Sequence, residues 1–417
     1  MQISSNGPRI CCLGLTVLLG CISFVLTGCK NDAPRSVTVP FTLDHNRMLV
    51  EAEILSADGR WLSAVLWVDS GNPELFLSEP LAAALGMDAV DDMDEADSGA
   101  LGVSPPAGIR IGGLELEITD VPTKIMRHPG WLFSTMHNDA NLPATILRNY
   151  RVVFDYPQRR LTIAEPGSSS IRGIRADASV HPRTGLVQID ALVDGDSLSL
   201  ALDNGASYSF VSGEVVDSLM SRHPEWPRMT GTLGHANMWG WWPPAEETLP
   251  VVRAAAIDWG PVRLTGIGLV GVSEMAPGGP SLGDWYSHKT TRPVQGFLGA
   301  NAFRDYRVEI DYERAVVYFE QAGEPDPHDM DLVGIALRKE QDGTCRVIGV
   351  AEWEGEPSVP YILPGDILLG INHVLLNNPT MGTAIDALRG EPGDTRQLLI
   401  ERDGQLQVVE ATVRRFL

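Results

Sequence analysis

An internal repeat constrains this chain more than any other feature. Leu66-Trp67-Val68-Asp69-Ser70-Gly71 and Leu200-Ala201-Leu202-Asp203-Asn204-Gly205 each drive an apolar run into Asp-x-Gly, 134 residues apart. One Asp-x-Gly is an ordinary turn. Two with matching surroundings are a duplicated unit. Nine residues after each Asp stands a serine placed to start a helix, Ser78 and Ser212. Ser78 leads into Glu79, Pro80, a run of helix formers and Gly86, the order of an N-cap, an early proline and a C-terminal glycine. Tyr150-Arg151-Val152-Val153-Phe154-Asp155-Tyr156 returns as Tyr306-Arg307-Val308-Glu309-Ile310-Asp311-Tyr312. β-like runs follow each copy, at 160–164 and 315–320, and further strand patterns at 49–55 and 186–193 precede each Asp-x-Gly. A repeat of roughly 130 to 150 residues predicts two lobes folded alike.

Two such lobes face to face bring two carboxylates together. Close carboxylates cannot both ionise, so they share one proton and are suited to activating a water. Asp203-Asn204-Gly205-Ala206-Ser207 resembles the Asp-Thr-Gly-Ala-Ser of retropepsin- and pepsin-like aspartic proteases, and Phe297-Leu298-Gly299 resembles their second signature. The resemblance covers roughly residues 37–322. It implies a mainly β fold of two tandem retropepsin-like β-barrel lobes forming a pseudo-dimer, lobe 1 at 37–166 and lobe 2 at 172–322. It also implies an aspartic endopeptidase acting on peptide or protein substrates without a metal or cofactor. Asp69 and Asp203 would be the catalytic pair, and Ser70, Gly71, Asn204, Gly205, Ser207 and Gly299 the active-site loops. One Asp would act as base towards water, and the other, protonated, would stabilise the developing oxyanion.

Lobe 1 departs from the pattern. Aligning Tyr150 with Tyr306 sets Asn141-Leu142-Pro143 opposite Phe297-Leu298-Gly299. Proline lacks a glycine's backbone freedom and its N–H. Ser70 fits the hydroxyl position that ties the family's lobes together, and Asn204 replaces it with an amide that can still hydrogen-bond across the interface. A catalytically inactive lipoprotein of the same fold, binding peptides or serving as a scaffold, therefore stands as the alternative function.

Asp203 and Tyr306 are 103 residues apart, and Asp69 and Tyr150 only 81. The longer span is expected to include the Gly- and Trp-rich stretch 234–244. Trp239, Trp241 and Trp242 there read either as a flap closing over an apolar substrate or as a cluster packed on another part of the protein. Residues 98–113, rich in Gly and Pro, are the lobe 1 flap candidate. The acidic run at 88–97 reads as solvated surface.

Residues 1–29 read as a targeting segment. Arg9 supplies a positive start, and 10–25 is apolar but too short and interrupted for a comfortable membrane span. Leu26-Thr27-Gly28-Cys29 resembles the lipobox of bacterial lipoproteins, which implies lipidation of Cys29 and attachment to a membrane of the bacterial cell envelope, facing the periplasm or the exterior. An ordinary signal peptide or an anchor helix is the alternative. Residues 30–36 form a polar tether. On this reading Cys345 is the only thiol left of five cysteines, so no internal disulfide is expected. Thirty-two Lys and Arg against 54 Asp and Glu give a net charge of −22, which argues against nucleic acid or an anionic lipid surface as partner. The nine His show no metal-ligand spacing, and neither a phosphate-binding Gly loop nor Gly-x-Ser-x-Gly occurs.

Linker-like stretches at 165–171 and 321–328 punctuate the chain. Beyond them, Leu363-Pro364-Gly365-Asp366-Ile367-Leu368-Leu369-Gly370-Ile371-Asn372 resembles the Pro-Gly-Asp signature of PDZ domains. The resemblance implies an α+β PDZ domain at 328–417, with a helix at 380–389 and a hairpin turn at Arg402-Asp403-Gly404. Leu332, Val333, Gly334 and Ile335 would form the loop that takes a protein C-terminus through backbone N–H groups. A small β domain that packs on the lobes and binds nothing is the alternative.

Overall fold

Each Asp-x-Gly ends the second strand of a hairpin. In Arg47–Leu55, Met48, Val50, Ala52 and Ile54 point inward and are buried, and Glu51 and Glu53 point out, the period-two pattern of a half-buried strand. This strand pairs antiparallel with Trp61–Asp69 from Leu49↔Trp67 to Leu55↔Trp61. Its lobe 2 counterpart is Val187–Val193 paired with Asp196–Asp203. Asp194 and Gly195, both at positive φ, make the tight turn between them. In the computed structural model the described residues are 35–87, 100–126, 135–167, 171–230, 248–273 and 280–417. Cys29 and Trp239, Trp241 and Trp242 lie outside them.

The fold is mostly β. The strand ending in Asp69 runs parallel to Ala140–Pro143, and the strand ending in Asp203 runs parallel to Gly296–Gly299. The registers put Pro143 beside Asp69 and Gly299 beside Asp203. The alignment of Asn141-Leu142-Pro143 with Phe297-Leu298-Gly299 is therefore realised residue for residue. Lobe 2 closes its sheet by pairing Val187–Val193 with the long strand Pro250–Trp259, which continues into Val262–Val272. Lobe 1 makes the same closure through Glu53↔Arg110 and Ile54↔Ile109. Its counterpart of the last long strand is broken into Leu114–Leu116 and Thr123–Met126, with Asp120 at φ 56° and Pro122 in the gap.

A six-stranded antiparallel sheet joins the lobes. Its order is Ser36–Pro40, Arg160–Ala164, Arg151–Asp155, Tyr306–Asp311, Val316–Gln321, Ile174–Asp177. The first three strands belong to lobe 1, and the last three are their copies in mirror order. At the centre the repeated segment pairs with its own copy: Arg151↔Asp311, Val153↔Glu309 and Asp155↔Arg307. That pattern is isologous, and its pseudo-two-fold axis passes through the Val153–Glu309 pair. A single apolar core runs through both lobes and this sheet, including Ile54, Leu66, Phe154, Leu200, Leu202 and Ile310.

The C-terminal segment has a core of its own. Its sheet order is Ile335–Lys339, Cys345–Val350, Ile367–Ile371, Thr395–Arg402, Gln405–Thr412. The helix Met381–Leu388 is capped by Thr380, whose hydroxyl accepts the Thr383 N–H at 3.1 Å. Asp403 and Gly404, at φ 52° and 74°, form the hairpin turn. A separate apolar cluster welds this segment to lobe 2 through Tyr208, Phe297, Met330, Leu332 and Phe416, and residues 34–417 form one compact unit.

Candidate active site

The parallel pairing that positions each Asp also leaves its loop projecting from the strand end toward the other lobe. There the two loops lock. The Ser70 N–H donates to Asn204 Oδ1 at 2.8 Å, and the Asn204 N–H donates to Ser70 Oγ at 3.1 Å. The Ser70 hydroxyl donates onward to the Leu202 carbonyl at 3.3 Å. Trp67 adds a fourth cross-lobe bond, Nε1 to the Gly205 carbonyl at 3.1 Å. Asn204 thus does with its amide oxygen what a hydroxyl does at Ser70. Its Nδ2 lies against the buried Tyr156 phenol, and among the described residues neither atom has a well-aligned partner.

This lock turns the carboxylates toward one another. A Cβ on Gly71 would collide with the Asp203 carboxylate, and a Cβ on Gly205 would lie 2.5 Å from Asp69 Oδ1. Each glycine is thus a space left for the opposite Asp. Asp69 and Asp203 are 3% and 7% exposed, which leaves a narrow approach. The backbone N–H of Gly71 donates to Asp69 Oδ1 at 3.1 Å. Those of Gly205 and Ala206 donate to Asp203 Oδ1 at 2.9 and 3.1 Å. Behind each loop the same strut recurs: the Ala144 N–H bonds the Asn72 carbonyl, and the Ala300 N–H bonds the Ala206 carbonyl, both at 2.8 Å.

Pro143 and Gly299 differ in what they do next to these struts. The Gly299 N–H donates to Ser209 Oγ at 3.0 Å, a bond Pro143 cannot make. Gly299 has φ −88°, so its requirement is space: a Cβ would collide with the Tyr208 carbonyl. Ser207 is fully buried, and its carbonyl accepts from Asn46 Nδ2 at 3.1 Å.

Two residues that sequence reasoning missed complete the site. The short helix Leu282–Ser287, capped by Ser281, carries Tyr286. Its ring packs on Phe297 at 5.3 Å between centroids. Its hydroxyl lies 2.9 Å from Asp203 Oδ2 and 2.7 Å from the Gly71 carbonyl. Lys289, half-buried, stacks its ammonium 3.8 Å over the Trp285 ring. It interacts with Glu74 and with both dyad carboxylates. The one available signal was length. The stretch before Gly296 runs 23 residues from Val272, where lobe 1 has 13 between Met126 and Ala140. Asn141 is also part of the site: it interacts with Asp69, and its Oδ1 accepts the Phe76 N–H at 2.6 Å.

The electrostatics follow from burial. Desolvation pushes Asp69 well above the usual carboxylate range, and the Asp203 charge pushes it further; Gly71, Lys289 and Asn141 oppose the rise. Desolvation lifts Asp203 to about 6, against the opposing pull of Tyr286, Ala206, Gly205 and Lys289. Two buried carboxyls with raised, interdependent affinities hold a proton across the mildly acidic range.

No protein-family model matches the chain, and no curated protein matches it. Among solved structures, basic 7S globulin from soybean is similar at 10% identity and a TM-score of 0.39, over 69% of this chain and 95% of that one.

The loop at Leu332 to Ile335 is covered in this structure. All four residues are buried. The Leu332 N–H donates to the Arg414 carbonyl at 3.3 Å, and the Leu332 carbonyl accepts the Arg414 N–H at 2.9 Å. The Gly334 carbonyl accepts from Ala351 at 2.7 Å, and the Phe416 ring fills the space beside Gly334. The neighbouring groove faces lobe 1: the Met381 N–H donates to the Thr135 carbonyl at 2.9 Å, and the Gly382 N–H donates to Asp44 Oδ1 at 3.1 Å. A loop motif shows which N–H groups are grouped, not what covers them.

Proposed function

We propose that this chain is an aspartic-type endopeptidase, with Asp69 and Asp203 sharing one proton around a water that attacks the scissile carbonyl. The reciprocal Ser70–Asn204 lock carries the reading, because it gives two buried, interacting carboxylates one fixed geometry. Lobe 1 at 37–166 and lobe 2 at 172–322 would each supply half of the site. The segment at 328–417 would be a PDZ-like module. Lipidation of Cys29 would hold the enzyme on a membrane of the cell envelope. The module's contacts with both lobes favour a bracing role in the free enzyme, with recruitment of partner C-termini only if those contacts open. The low exposure of the carboxylates favours a second reading, a silent peptide-binding protein of the same architecture.

Cleavage of a diverse peptide library separates the two. The expected result is peptidase activity that chelators leave intact and that Asp69→Asn and Asp203→Asn each abolish without loss of fold. Activity surviving both substitutions, or an intact chain that cleaves nothing while binding peptides, would favour the other readings.

A further inference from the structure

Resting on the hydrolytic reading, we infer that Tyr286 is a positioning residue that polarises the dyad, holding Asp203 as the ionised base and leaving the shared proton on Asp69. The two Asp loops are copies, so an asymmetry between them must come from what surrounds them. Asp203 receives three donors: the Gly205 and Ala206 N–H groups on Oδ1 and the Tyr286 hydroxyl on Oδ2. Asp69 receives the Gly71 N–H and the contact with Asn141. Hydrogen bonds to the charged form favour it, and those to a carboxylate are the strong ones. The charges around Asp203 are Asp69 and Lys289, with the phenols of Tyr286 and Tyr156 facing it. Glu74 and Lys124 stand behind Lys289. Lys289 acts on both carboxyls. Tyr286 bonds only one.

The phenol has one proton and two acceptors, Asp203 Oδ2 and the Gly71 carbonyl. While Asp203 is ionised, the proton points at the charge. As the water oxygen bonds to the scissile carbon, one water proton passes to Asp203, and Asp69 gives its proton to the carbonyl oxygen. The Asp203 O–H then donates to the Tyr286 oxygen, and the phenol proton turns to the Gly71 carbonyl. Collapse of the tetrahedral species breaks the C–N bond. Its nitrogen takes the Asp203 proton, and Asp69 recovers its own from the remaining hydroxyl. The carbonyl of Gly71 belongs to the loop of the acid, so one hydroxyl reports the charge of the base to the opposite lobe.

The test is Tyr286→Phe in the full chain, which keeps the ring packed on Phe297. The acid limb of kcat/KM, set by the base in the free enzyme, should move up by about one pH unit, as expected for loss of one charge-assisted bond. Carboxyl 13C NMR titration gives a readout independent of turnover. Asp203 should titrate below Asp69 in the native chain, and its midpoint should rise in the variant. An unmoved acid limb, or Asp69 titrating first, overturns the inference. A native chain that shows the predicted titration order and the variant's shift but cleaves nothing supports it and refutes the hydrolytic reading alone.

Discussion

The dyad should weaken the fold at neutral pH, and Asp203→Asn should relieve that. The sign follows from the direction of the shift. Asp203 binds its proton more tightly folded than unfolded, with an affinity raised from 3.8 to about 6. The stabilisation from that proton is complete below the unfolded value and is lost as pH rises through about 6. A gap of roughly two units at about 1.4 kcal/mol each makes the loss about 3 kcal/mol between pH 4 and 7.5. The asparagine never ionises, so the variant escapes the loss. Its amide also fits: Oδ1 keeps the Gly205 and Ala206 donors, Nδ2 donates to the Tyr286 oxygen, and the phenol proton goes to Gly71. Asp69, freed of a neighbouring charge, ionises more easily, which adds to the gain. Urea unfolding of both proteins at pH 4, 5.5 and 7.5 reads the difference directly, because apart from Asp69 the remaining titrating groups are common to the pair. The variant should gain about 3 kcal/mol relative to wild type across that range. A difference constant within about half a kcal/mol, or one that moves the other way, would refute the claim that burial holds the pair's proton.

Ser70→Ala removes a hydroxyl that satisfies the Asn204 N–H and the Leu202 carbonyl; two buried backbone groups lose their partner, so stability should fall by about 2–4 kcal/mol, with peptidase activity falling alongside. Glu309→Ala leaves the buried Arg151 guanidinium without its carboxylate and should cost about 3–5 kcal/mol by urea unfolding. Gly382→Ala puts a Cβ 2.6 Å from Asp44 Oδ2 and 2.7 Å from the His45 N–H nitrogen; limited proteolysis should then cut the 321–328 stretch faster, with lobe stability little changed.

The repeat exposed much of the architecture, because strands that form a duplicated sheet carry duplicated patterns. Tyr150–Tyr156 and Tyr306–Tyr312 were legible as copies and proved to be partners. Ser78 and Gly86 read as caps and act as caps, with Ser78 Oγ accepting the Leu81 N–H and Gly86 at φ 70°. Ser212 begins its helix without a side-chain cap, since position alone does not fix a hydroxyl's rotamer. The lock was half legible: Ser70 stood where a hydroxyl was expected, and the amide of Asn204 was read as able to replace one. Tyr286 was not legible. It reaches Asp203 from 83 residues away, on an insertion with no repeat partner to draw attention to it. The cover over Leu332 to Ile335 was equally hidden, because it comes from lobe 2 and from the chain's last residues.

The pair on the pseudo-two-fold axis also sets which lobes can meet when many chains fold together. Two copies of lobe 1 meeting along this strand would place Val153 against Val153 and leave each buried Arg151 without the carboxylate it pairs with here. Two copies of lobe 2 would place Glu309 against Glu309, in a position that is fully buried here. Like charges set directly opposite, without water, cost several kcal/mol. In the native pairing one Glu309 serves both Arg151 and Arg307, at 2.5 and 2.7 Å, so each lobe is best matched by the other. Association along this strand is thereby steered toward unlike lobes, the pairing each chain makes when it closes on itself.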